Sequence, residues 1–393
     1  MTLRILQELN TQGKRVLVRV DFNVPMQNGK ITDDTRIKAS IPTINYLREQ
    51  KAKIILCSHL GRPGGLIQEE TRLGPIATYL SNLLNIPVSY ATECLGDDVA
   101  HKISSLRPGD VLLLENLRFH AEEEANDLAF SKELASLAEM FVNDAFGAAH
   151  RAHASTVGIT KFLPSAAGLL LQKEVRMLGK ILENPERPMT GVMGGAKISD
   201  KIPVLENLLE KFDRLLIGGG MAATFFKALG FPVGSSLIEE DLVGFVNNLI
   251  DKAKILGILL VLPEDVVIAR EFDPDSPSQN VSFREIPDNW RIMDIGLQSR
   301  HLFKENLLGS KTVLWNGTMG VFEFPRFAQG TRDIGIAISH LRGGVSVVGG
   351  GSTVEAVTTL GLAGTMTHVS TGGGASLEFL EGRILPGLAA LSR

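Results

Sequence analysis

The stretch Val345–Ser352 constrains the fold of this chain more than any other. It reads Val-Ser-Val-Val-Gly-Gly-Gly-Ser, and Thr-Val-Glu follows. The valine-rich run predicts a buried strand, and the residues after the glycines predict the start of a helix. A strand, a glycine turn and a helix in this order direct backbone N–H groups and the positive end of a helix dipole at one point, where an anion is stabilised. Glycine is expected because a side chain there would block the approach of a phosphate.

The same arrangement recurs elsewhere in the second half of the chain. Further copies lie in Gly191–Lys201, Arg214–Thr224 and Thr367–Leu380. One such turn is often only a tight turn, but several copies, one of them with two lysines, favour a phosphate-rich ligand. None of them fits G-x-G-x-x-G or G-x-x-x-x-G-K-[ST], so neither the dinucleotide nor the P-loop fingerprint applies.

Length and composition limit the class of protein. A chain of 393 residues exceeds one ordinary core, so two domains are expected. A net charge of −4 argues against a general nucleic-acid binder, which is usually basic. Cys57 and Cys94 lie in apolar runs, which predicts buried free thiols. The N-terminus lacks a signal-peptide pattern and the apolar runs are too short to cross a bilayer, so we expect a cytoplasmic protein without membrane contact.

Strand-like runs alternate with helical patterns in both halves, which predicts the α/β class with parallel sheets covered by helices. The predicted strands are 15–22, 53–58, 87–92, 110–115, 140–143, 189–193, 214–217, 258–262, 291–295, 311–315 and 345–348. The main predicted helices are 34–50, 73–84, 97–105, 125–138, 165–183, 199–211, 221–229, 239–256, 299–308, 330–341 and 352–360. Pro185 and Pro188 stop the helix 165–183, and we place the domain boundary there. The stretch 272–289 is predicted to be irregular.

The first half places cations directly after its predicted strands. They are Arg36, His59, Arg62, Arg118, His150, Arg151 and His153. In an open α/β sheet ligands collect outside the carboxyl ends of the strands, where several arginines can bind a phosphate or carboxylate bidentately. The alternative for each arginine is a solvated side chain with a surface partner. That alternative is weaker for Arg62 and Arg118, which follow apolar strands.

Three further groups of polar residues are candidates for a site. Asp21-Phe22-Asn23 could accept hydrogen bonds from substrate hydroxyls, or could form a turn before Val24-Pro25. Lys197 and Lys201 are four apart at a predicted helix start, where two positive charges on one face are tolerated more readily if an anion binds. Asn316 and Glu323 follow another strand, and Glu323 could hold ribose hydroxyls; either could equally be a turn or surface residue.

Several motifs, in order along essentially the whole chain, resemble the phosphoglycerate kinase family. They are Arg-Val-Asp-Phe-Asn-Val-Pro at 19–25, Ser-His-Leu-Gly-Arg-Pro at 58–63, Glu-Asn-Leu-Arg-Phe at 115–119, Asn-Asp-Ala-Phe-Gly-Ala-Ala-His-Arg at 143–151, Gly-Gly-Ala-Lys-Ile-Ser-Asp-Lys at 194–201, Trp-Asn-Gly at 315–317 and His-Val-Ser-Thr-Gly-Gly-Gly-Ala-Ser-Leu-Glu at 368–378. The resemblance implies two Rossmann-like domains joined by a hinge helix. The expected limits are 1–168 for the domain that binds 3-phosphoglycerate, 169–188 for the hinge helix and linker, 189–378 for the nucleotide domain, and 379–393 for a tail that returns to the first domain.

The resemblance also implies a reaction and a set of site residues. The expected reaction is reversible phosphoryl transfer between Mg²⁺-bound ATP or ADP and 3-phosphoglycerate or 1,3-bisphosphoglycerate, by a monomer. The predicted substrate-binding residues are Asp21, Phe22, Asn23, Arg36, His59, Leu60, Gly61, Arg62, Arg118 and Arg151. The predicted nucleotide-binding residues are Lys197, Lys201, Gly219, Asn316, Glu323, Gly350, Gly351, Ser352 and Thr353. Arg36, Lys197, Lys201, Gly350 and Gly373 are predicted to be catalytic.

The sequence departs from the family pattern at two positions. Thr318 replaces the proline of Trp-Asn-Gly-Pro, which changes the rigidity of a turn near the adenine. Ser352 replaces the aspartate that the family uses near the metal, so no metal ligand is assigned. Ser352-Thr353-Val354-Glu355 instead matches a capping box, which predicts that the Ser352 hydroxyl caps the following helix.

Two alternative functions remain open at this stage. One is another sugar-acid or carboxylate kinase on a similar fold. The other is a two-domain binding protein that closes on an anion without chemistry. The lysine pair and the repeated glycine turns disfavour the second, because a protein that binds one small anion needs no second phosphate site.

Overall fold

The computed structural model describes residues 2–393. The chain divides into two compact units. The first unit is the chain up to Arg176 together with Ile384–Arg393, and the second unit is Met177–Arg383. The division falls inside the helix Leu169–Glu183.

The first unit is built on a six-stranded parallel sheet. The unit as a whole contains the strands β1 (Arg15–Arg19), β2 (Met26–Gln27), β3 (Lys30–Ile31), β4 (Lys53–Cys57), β5 (Val88–Tyr90), β6 (Val111–Leu113), β7 (Met140–Asn143) and β8 (Ser165–Ala167). The order in the sheet is β5-β6-β4-β1-β7-β8, and β2 and β3 form a separate hairpin. The helices are α1 (Thr35–Glu49), α2 (Gly74–Leu84), α3 (Asp97–Ser104), α4 (Ala121–Glu124), α5 (Leu128–Ser136) and α6 (Leu169–Glu183).

Both faces of this sheet are buried, as the continuous apolar strands predict. Alternate residues of one strand enter different cores: Ile54 packs with Val16 on one face, and Ile55 packs with Leu17 on the other. Cys57 and Cys94 are free and buried on that second face, as predicted.

The second unit repeats the architecture. Its strands are β9 (Met189–Met193), β10 (Arg214–Ile217), β11 (Leu259–Val261), β12 (Asp265–Ala269), β13 (Ser278–Ser282), β14 (Arg291–Ile295), β15 (Thr312–Asn316), β16 (Val345–Gly349) and β17 (His368–Val369). A six-stranded parallel sheet has the order β11-β10-β9-β15-β16-β17. The helices are α7 (Ile202–Leu208), α8 (Ala222–Ala228), α9 (Val243–Ile255), α10 (Leu297–Leu307), α11 (Gln329–Ser339), α12 (Gly351–Thr359) and α13 (Gly374–Leu380). The predicted α/β class with two parallel sheets is confirmed.

The three-stranded antiparallel sheet β13-β12-β14 was not predicted. It includes β13, which lies inside the stretch 272–289 that the sequence indicated as irregular. The strand β13 has the sequence Ser-Gln-Asn-Val-Ser, which shows little apolar pattern. In the structure three of these residues are half-buried and two are exposed, so the strand needs few apolar side chains. Pairing with the buried strand β12 makes it a strand.

The predicted helix 165–183 was wrong at its start. Ser165–Ala167 is the edge strand β8, and α6 begins only after Gly168. The Asp144 Oδ1 accepts hydrogen bonds from the amides of Leu170 (2.9 Å) and Leu171 (3.3 Å), which satisfies the first turn of α6. A Cβ at Gly168 would lie 2.2 Å from that oxygen, so glycine is required at this junction.

The last residues belong to the first unit. The short helix α14 (Pro386–Ala389) precedes Leu391, whose carbonyl accepts from the Arg4 amide at 3.1 Å. The Gly387 amide donates to the Ala149 carbonyl at 2.8 Å. Among residues 2–393, no helix is both long and apolar enough to cross a membrane.

Candidate functional site

The predicted polar residues of the first unit follow the carboxyl ends of neighbouring strands. Asp21 and Asn23 come after β1, His59 after β4 and Arg118 after β6. Because these strands are parallel and adjacent, their carboxyl ends share one edge of the sheet.

Hydrogen bonds join the loop after β1 to the loop after β4. The Asn23 Oδ1 accepts from the Gly61 amide at 2.9 Å, and the Phe22 amide donates to Ser58 Oγ at 2.9 Å. Arg36, at the start of α1, donates to the Asn23 carbonyl at 3.0 Å and lies 3.3 Å from Asp21 Oδ2. Arg36 is thus held in place in the folded protein by the residues after β1.

Arg118 is buried and has a fixed orientation. Its Nη1 donates to the Gly61 carbonyl at 2.7 Å, and its Nε lies 3.2 Å from Glu124 Oε1. Burial lowers the pKa of this guanidinium, and the nearby Glu124 carboxylate opposes that shift. Leu60 is fixed as well, because its amide donates to Asn116 Oδ1 at 3.2 Å.

The remaining first-unit cations are less constrained. Arg62 is exposed and has no hydrogen bond or ion pair within residues 2–393. Arg151 is half-buried, with its Nε 3.3 Å from the His150 Nε2. A cation without a protein partner is available for an anionic ligand, which suits the predicted role of Arg62.

Sequence reasoning missed a buried polar chain beneath these residues. Arg19, Ser155 and Glu123 are all at most 1% exposed. The Arg19 Nε donates to Ser155 Oγ at 2.8 Å, and Ser155 Oγ donates to Glu123 Oε1 at 2.6 Å. The Arg19 Nη2 lies 2.9 Å from His59 Nδ1. The only sequence signal was a charged residue that ends the apolar strand Arg-Val-Leu-Val-Arg.

In the second unit the glycine turns pack against one another. A Cβ at Gly317 would lie 2.1 Å from the Gly194 carbonyl oxygen, and one at Gly219 would lie 2.6 Å from the Gly195 nitrogen. Glycine is therefore required at these turns by close approach of backbone to backbone. The sequence suggested another reason, room for a phosphate, and that reason does not account for these glycines. At Gly351 a Cβ would meet no atom within 4 Å, so there the phosphate explanation is still possible.

Lys201 contacts Asn316, the residue before the turn at Gly317. It is 8% exposed, and its Nζ donates to the Asn316 Oδ1 at 2.6 Å. Burial lowers the pKa of the Lys201 ammonium, and the Asp200 carboxylate opposes that shift. The Asn316 Nδ2 is buried and has no hydrogen-bond partner in the described part of the chain. The site thus offers a buried cation beside an unused donor.

The prediction that Lys197 and Lys201 share a helix face was wrong. The helix α7 begins at Ile202, so Lys201 is its N-cap and Lys197 lies in the preceding loop, exposed. Glu239 shapes that loop: its Oε2 accepts from the Ile198 amide at 2.7 Å and the Ser199 amide at 3.1 Å.

The predicted capping box at Ser352 was also wrong. The N-cap of α12 is Gly350, in a left-handed conformation (φ 87°), and no side chain caps the helix. Ser352 is instead the second residue of α12 and is exposed. Thr353 is buried, and its Oγ1 accepts from the Gly317 amide at 2.6 Å, which connects α12 to the turn after β15.

The other predicted residues of this unit lie on the surface or on turns. Glu323 is exposed. Gly373, the N-cap of α13, has φ 52° and ψ −113°, a conformation open to glycine. Within residues 2–393 no cluster of three or more His, Cys, Asp or Glu side chains could hold a metal ion.

Comparisons with known proteins point to one family. A sequence model described as phosphoglycerate kinase matches residues 6–383. The phosphoglycerate kinase of Moorella thermoacetica is 54% identical over 387 residues, 98% of each chain. That of Dictyoglomus turgidum is 53% identical over 390 residues, which are 99% of this chain and 98% of the relative.

Solved structures give the same result. The phosphoglycerate kinase of Coxiella burnetii superposes with a TM-score of 0.89 at 41% identity and covers 99% of each chain. That of Pyrococcus horikoshii gives a TM-score of 0.85 at 34% identity and covers 99% of this chain and 98% of the other. The likeness extends over both units, and the chain belongs to the phosphoglycerate kinase family.

Proposed function

We propose that this chain transfers a phosphoryl group reversibly between ATP and the carboxylate of 3-phosphoglycerate, with ADP and 1,3-bisphosphoglycerate as the other reactant pair. One observation supports the proposal: each unit holds a cluster whose chemistry suits an anion, and the two clusters differ. In the first unit the fields of Arg19, Arg36 and Arg118 act on His59, and in the second the buried Lys201 is bonded to Asn316, next to the glycine turn at Gly317. Family membership supports the same reaction.

The first unit binds 3-phosphoglycerate in this account. Arg62 and Arg118 bind its 3-phosphate, with Arg151 nearby. Asp21 and Asn23 accept hydrogen bonds from its hydroxyl, and Arg36 stabilises the carboxylate end. Phe22, Leu60 and Gly61 form the backbone that holds these side chains, as the Asn23–Gly61 hydrogen bond of 2.9 Å indicates.

The second unit binds the nucleotide together with its Mg²⁺. The N-terminal turn of α12, with Gly350, Gly351, Ser352 and Thr353, contacts phosphates, and Gly219, Asn316 and Glu323 contribute to the nucleotide site. Lys197, Lys201 and the amides near Gly350 and Gly373 stabilise the charge on the transferring group. Lys201 suits that role because a buried cation acts in a low dielectric, where its field is stronger than in water.

The chemistry needs no general base. A carboxylate with a reference pKa of about 4 is already ionised at neutral pH and can attack the γ-phosphorus directly. The new bond joins a carboxylate oxygen to phosphorus, and the β,γ-bridging oxygen leaves with ADP. The residues must therefore align the two substrates and offset negative charge.

Because each unit takes one substrate, transfer requires the units to approach each other about the 169–188 connector. Closure of this kind also excludes water, which would otherwise hydrolyse the acyl phosphate. We further propose that the protein works as a cytoplasmic monomer, without nucleic-acid or membrane partners.

A coupled assay with ATP, Mg²⁺ and 3-phosphoglycerate tests the proposal. We expect ADP production that requires all three components. Turnover with another sugar acid but not with 3-phosphoglycerate would favour a different carboxylate kinase. Saturable binding of 3-phosphoglycerate without any turnover would favour a binding protein.

A further inference from the structure

His59 and Arg19 form a buried pair whose hydrogen bond can have only one direction. His59 is 5% exposed and Arg19 is 1% exposed. The Arg19 Nη2 lies 2.9 Å from the His59 Nδ1. A guanidinium has only donors and stays charged in proteins, so the imidazole Nδ1 must accept. The ring proton is then on Nε2, and protonation of Nδ1 would place two N–H groups face to face.

The position of Arg19 is itself determined by a chain of fixed hydrogen bonds. Glu123 is fully buried, and its carboxylate accepts the Ser155 hydroxyl proton at 2.6 Å. The Ser155 oxygen is therefore free to accept from the Arg19 Nε, 2.8 Å away. The Arg19 Nη1 donates to the Val20 carbonyl at 2.5 Å. The bonds from Nε to Ser155 and from Nη1 to Val20 hold the guanidinium in one orientation, with Nη2 directed at His59.

The far side of the imidazole is unused by the protein. Within residues 2–393 the His59 Nε2 makes no hydrogen bond. The strongest fields at the ring come from Arg19 on β1, Arg118 after β6, Arg36 on α1 and His153 after β7, and all of them disfavour a positive charge there. The nearby carboxylates have other partners: Glu123 accepts from Ser155, and Asp21 lies 3.3 Å from Arg36. Neither forms an ion pair with His59 in residues 2–393.

We propose that Arg19 is a positioning residue that keeps His59 neutral, with its proton on Nε2, so that the ring donates a hydrogen bond to an anionic oxygen of the substrate across pH 6–8. The proposal rests on the proposed function for the identity of that substrate. Arg19 itself contacts no substrate in this account; it acts through His59. Burial, followed by the fields of Arg19 and the other arginines, lowers the pKa of His59 well below its usual range, which agrees with a neutral ring.

The wild-type protein tests the tautomer without any assay of activity. In ¹⁵N-labelled enzyme we expect a pyridine-type resonance for His59 Nδ1 and a pyrrole-type resonance for Nε2, unchanged from pH 6 to pH 8. Addition of 3-phosphoglycerate should shift the Nε2 signal. A proton on Nδ1, or a ring that titrates between pH 6 and pH 8, would overturn the proposal even if turnover is normal. Absence of turnover with normal ring signals would instead count against the proposed function.

Two variants separate positioning from simple structural damage. Arg19→Met removes the donor, whereas Arg19→Lys keeps a cation that can only donate. The readouts are the ¹⁵N signals of the His59 ring and the KM for 3-phosphoglycerate at one pH. For Arg19→Met we expect mixed signals for the two ring nitrogens, because either of them can then hold the proton, and a KM about threefold or more above that of wild type. Arg19→Lys should keep the wild-type tautomer and a KM close to that of wild type. An equal rise in KM in both variants with wild-type ring signals would show that Arg19 has only a structural role, and if Arg19→Met does not fold, the wild-type spectrum decides.

Discussion

The Lys201 ammonium donates a hydrogen bond of 2.6 Å to the Asn316 side-chain oxygen. It thereby connects the residue before α7 to the last residue of β15. Both side chains are buried, and Nδ2 of the asparagine has no partner in the described residues. Asn316 thus orients the ammonium through one atom and leaves the other for a ligand.

Replacement of Lys201 should reduce the rate of the chemical step. We expect Lys201→Met to lower kcat by about 10²-fold, in the range for a lost donor to the transition state. The methionine keeps the bulk of the side chain and removes its charge. The exposed Lys304→Met on α10 is the matched control and should retain the wild-type kcat. A Lys201→Met enzyme with normal kcat and only a raised KM for ATP would make the lysine a ground-state anchor.

Arg62 should affect one substrate only. Its exposed side chain lacks a partner in residues 2–393, so Arg62→Ala should leave stability nearly unchanged. Loss of one charge-assisted contact should cost on the order of 1.5–3 kcal/mol of binding, which is about tenfold or more in the KM for 3-phosphoglycerate. The KM for ATP should change little. Arg107→Ala, at a highly exposed surface pair, is the control, and equal losses for both substrates would refute the assignment.

The buried Asp144 gives stability a pH dependence of unusual sign. Burial raises the pKa of its carboxyl to about 7, against hydrogen bonds from Thr43 and two amides of α6 that lower it. Since its folded pKa lies above its unfolded value, the native state binds more protons between these values. This carboxyl therefore lowers stability as the pH rises towards 7.

Asp144→Asn should remove that contribution. From pH 5.5 to pH 8, the free energy of unfolding of the variant relative to wild type should rise by roughly 1–2 kcal/mol. Urea unfolding at both pH values measures it. Asp98→Asn, at an exposed pair with Lys102, should run parallel to wild type. The same slope in Asp144→Asn and wild type would mean that Asp144 does not titrate in this range.

The resemblance to the family predicts an aspartate where this chain has Ser352. A carboxylate in the first turn of α12 is favoured by the helix dipole, so Ser352→Asp should fold normally. We expect the variant to reach its half-maximal rate at a lower Mg²⁺ concentration, because Mg²⁺ is held by substrate phosphates with one or two carboxylates. Ser352→Asn has a similar shape without the charge and should behave like wild type. An unchanged or higher Mg²⁺ requirement in Ser352→Asp would indicate that the metal is held elsewhere.

The sequence predicted the parallel sheets well because their strands are short apolar runs between turns. The strands β7, β9, β10 and β14 have the predicted bounds. The antiparallel strand β13 could not be predicted, because its residues become a strand only through pairing with β12. A pairing of that kind is a tertiary contact, and it produces no periodic pattern of apolar residues in the local sequence.

The candidate site residues also divide into those with a local sequence signal and those that depend on tertiary contacts. Candidates in the loops that follow strands, such as His59 after β4 and Arg118 after β6, could be predicted because parallel strands share one edge. Arg19 and Glu123 could not, since their roles come from hydrogen bonds between distant parts of the chain. At Ser352 the local capping pattern was misleading because the helix begins one residue earlier, at Gly351, with the left-handed Gly350 as its N-cap.

Trapping the product with hydroxylamine tests the central claim, phosphoryl transfer to a carboxylate, most directly. Enzyme, Mg²⁺, ATP and 3-phosphoglycerate are incubated with hydroxylamine, which converts an acyl phosphate into a hydroxamate and releases phosphate. We predict one 3-phosphoglyceryl hydroxamate for each ADP formed, and about 10²-fold slower formation with Lys201→Met. ADP formation without hydroxamate, or transfer to a product that resists hydroxylamine, would contradict the account.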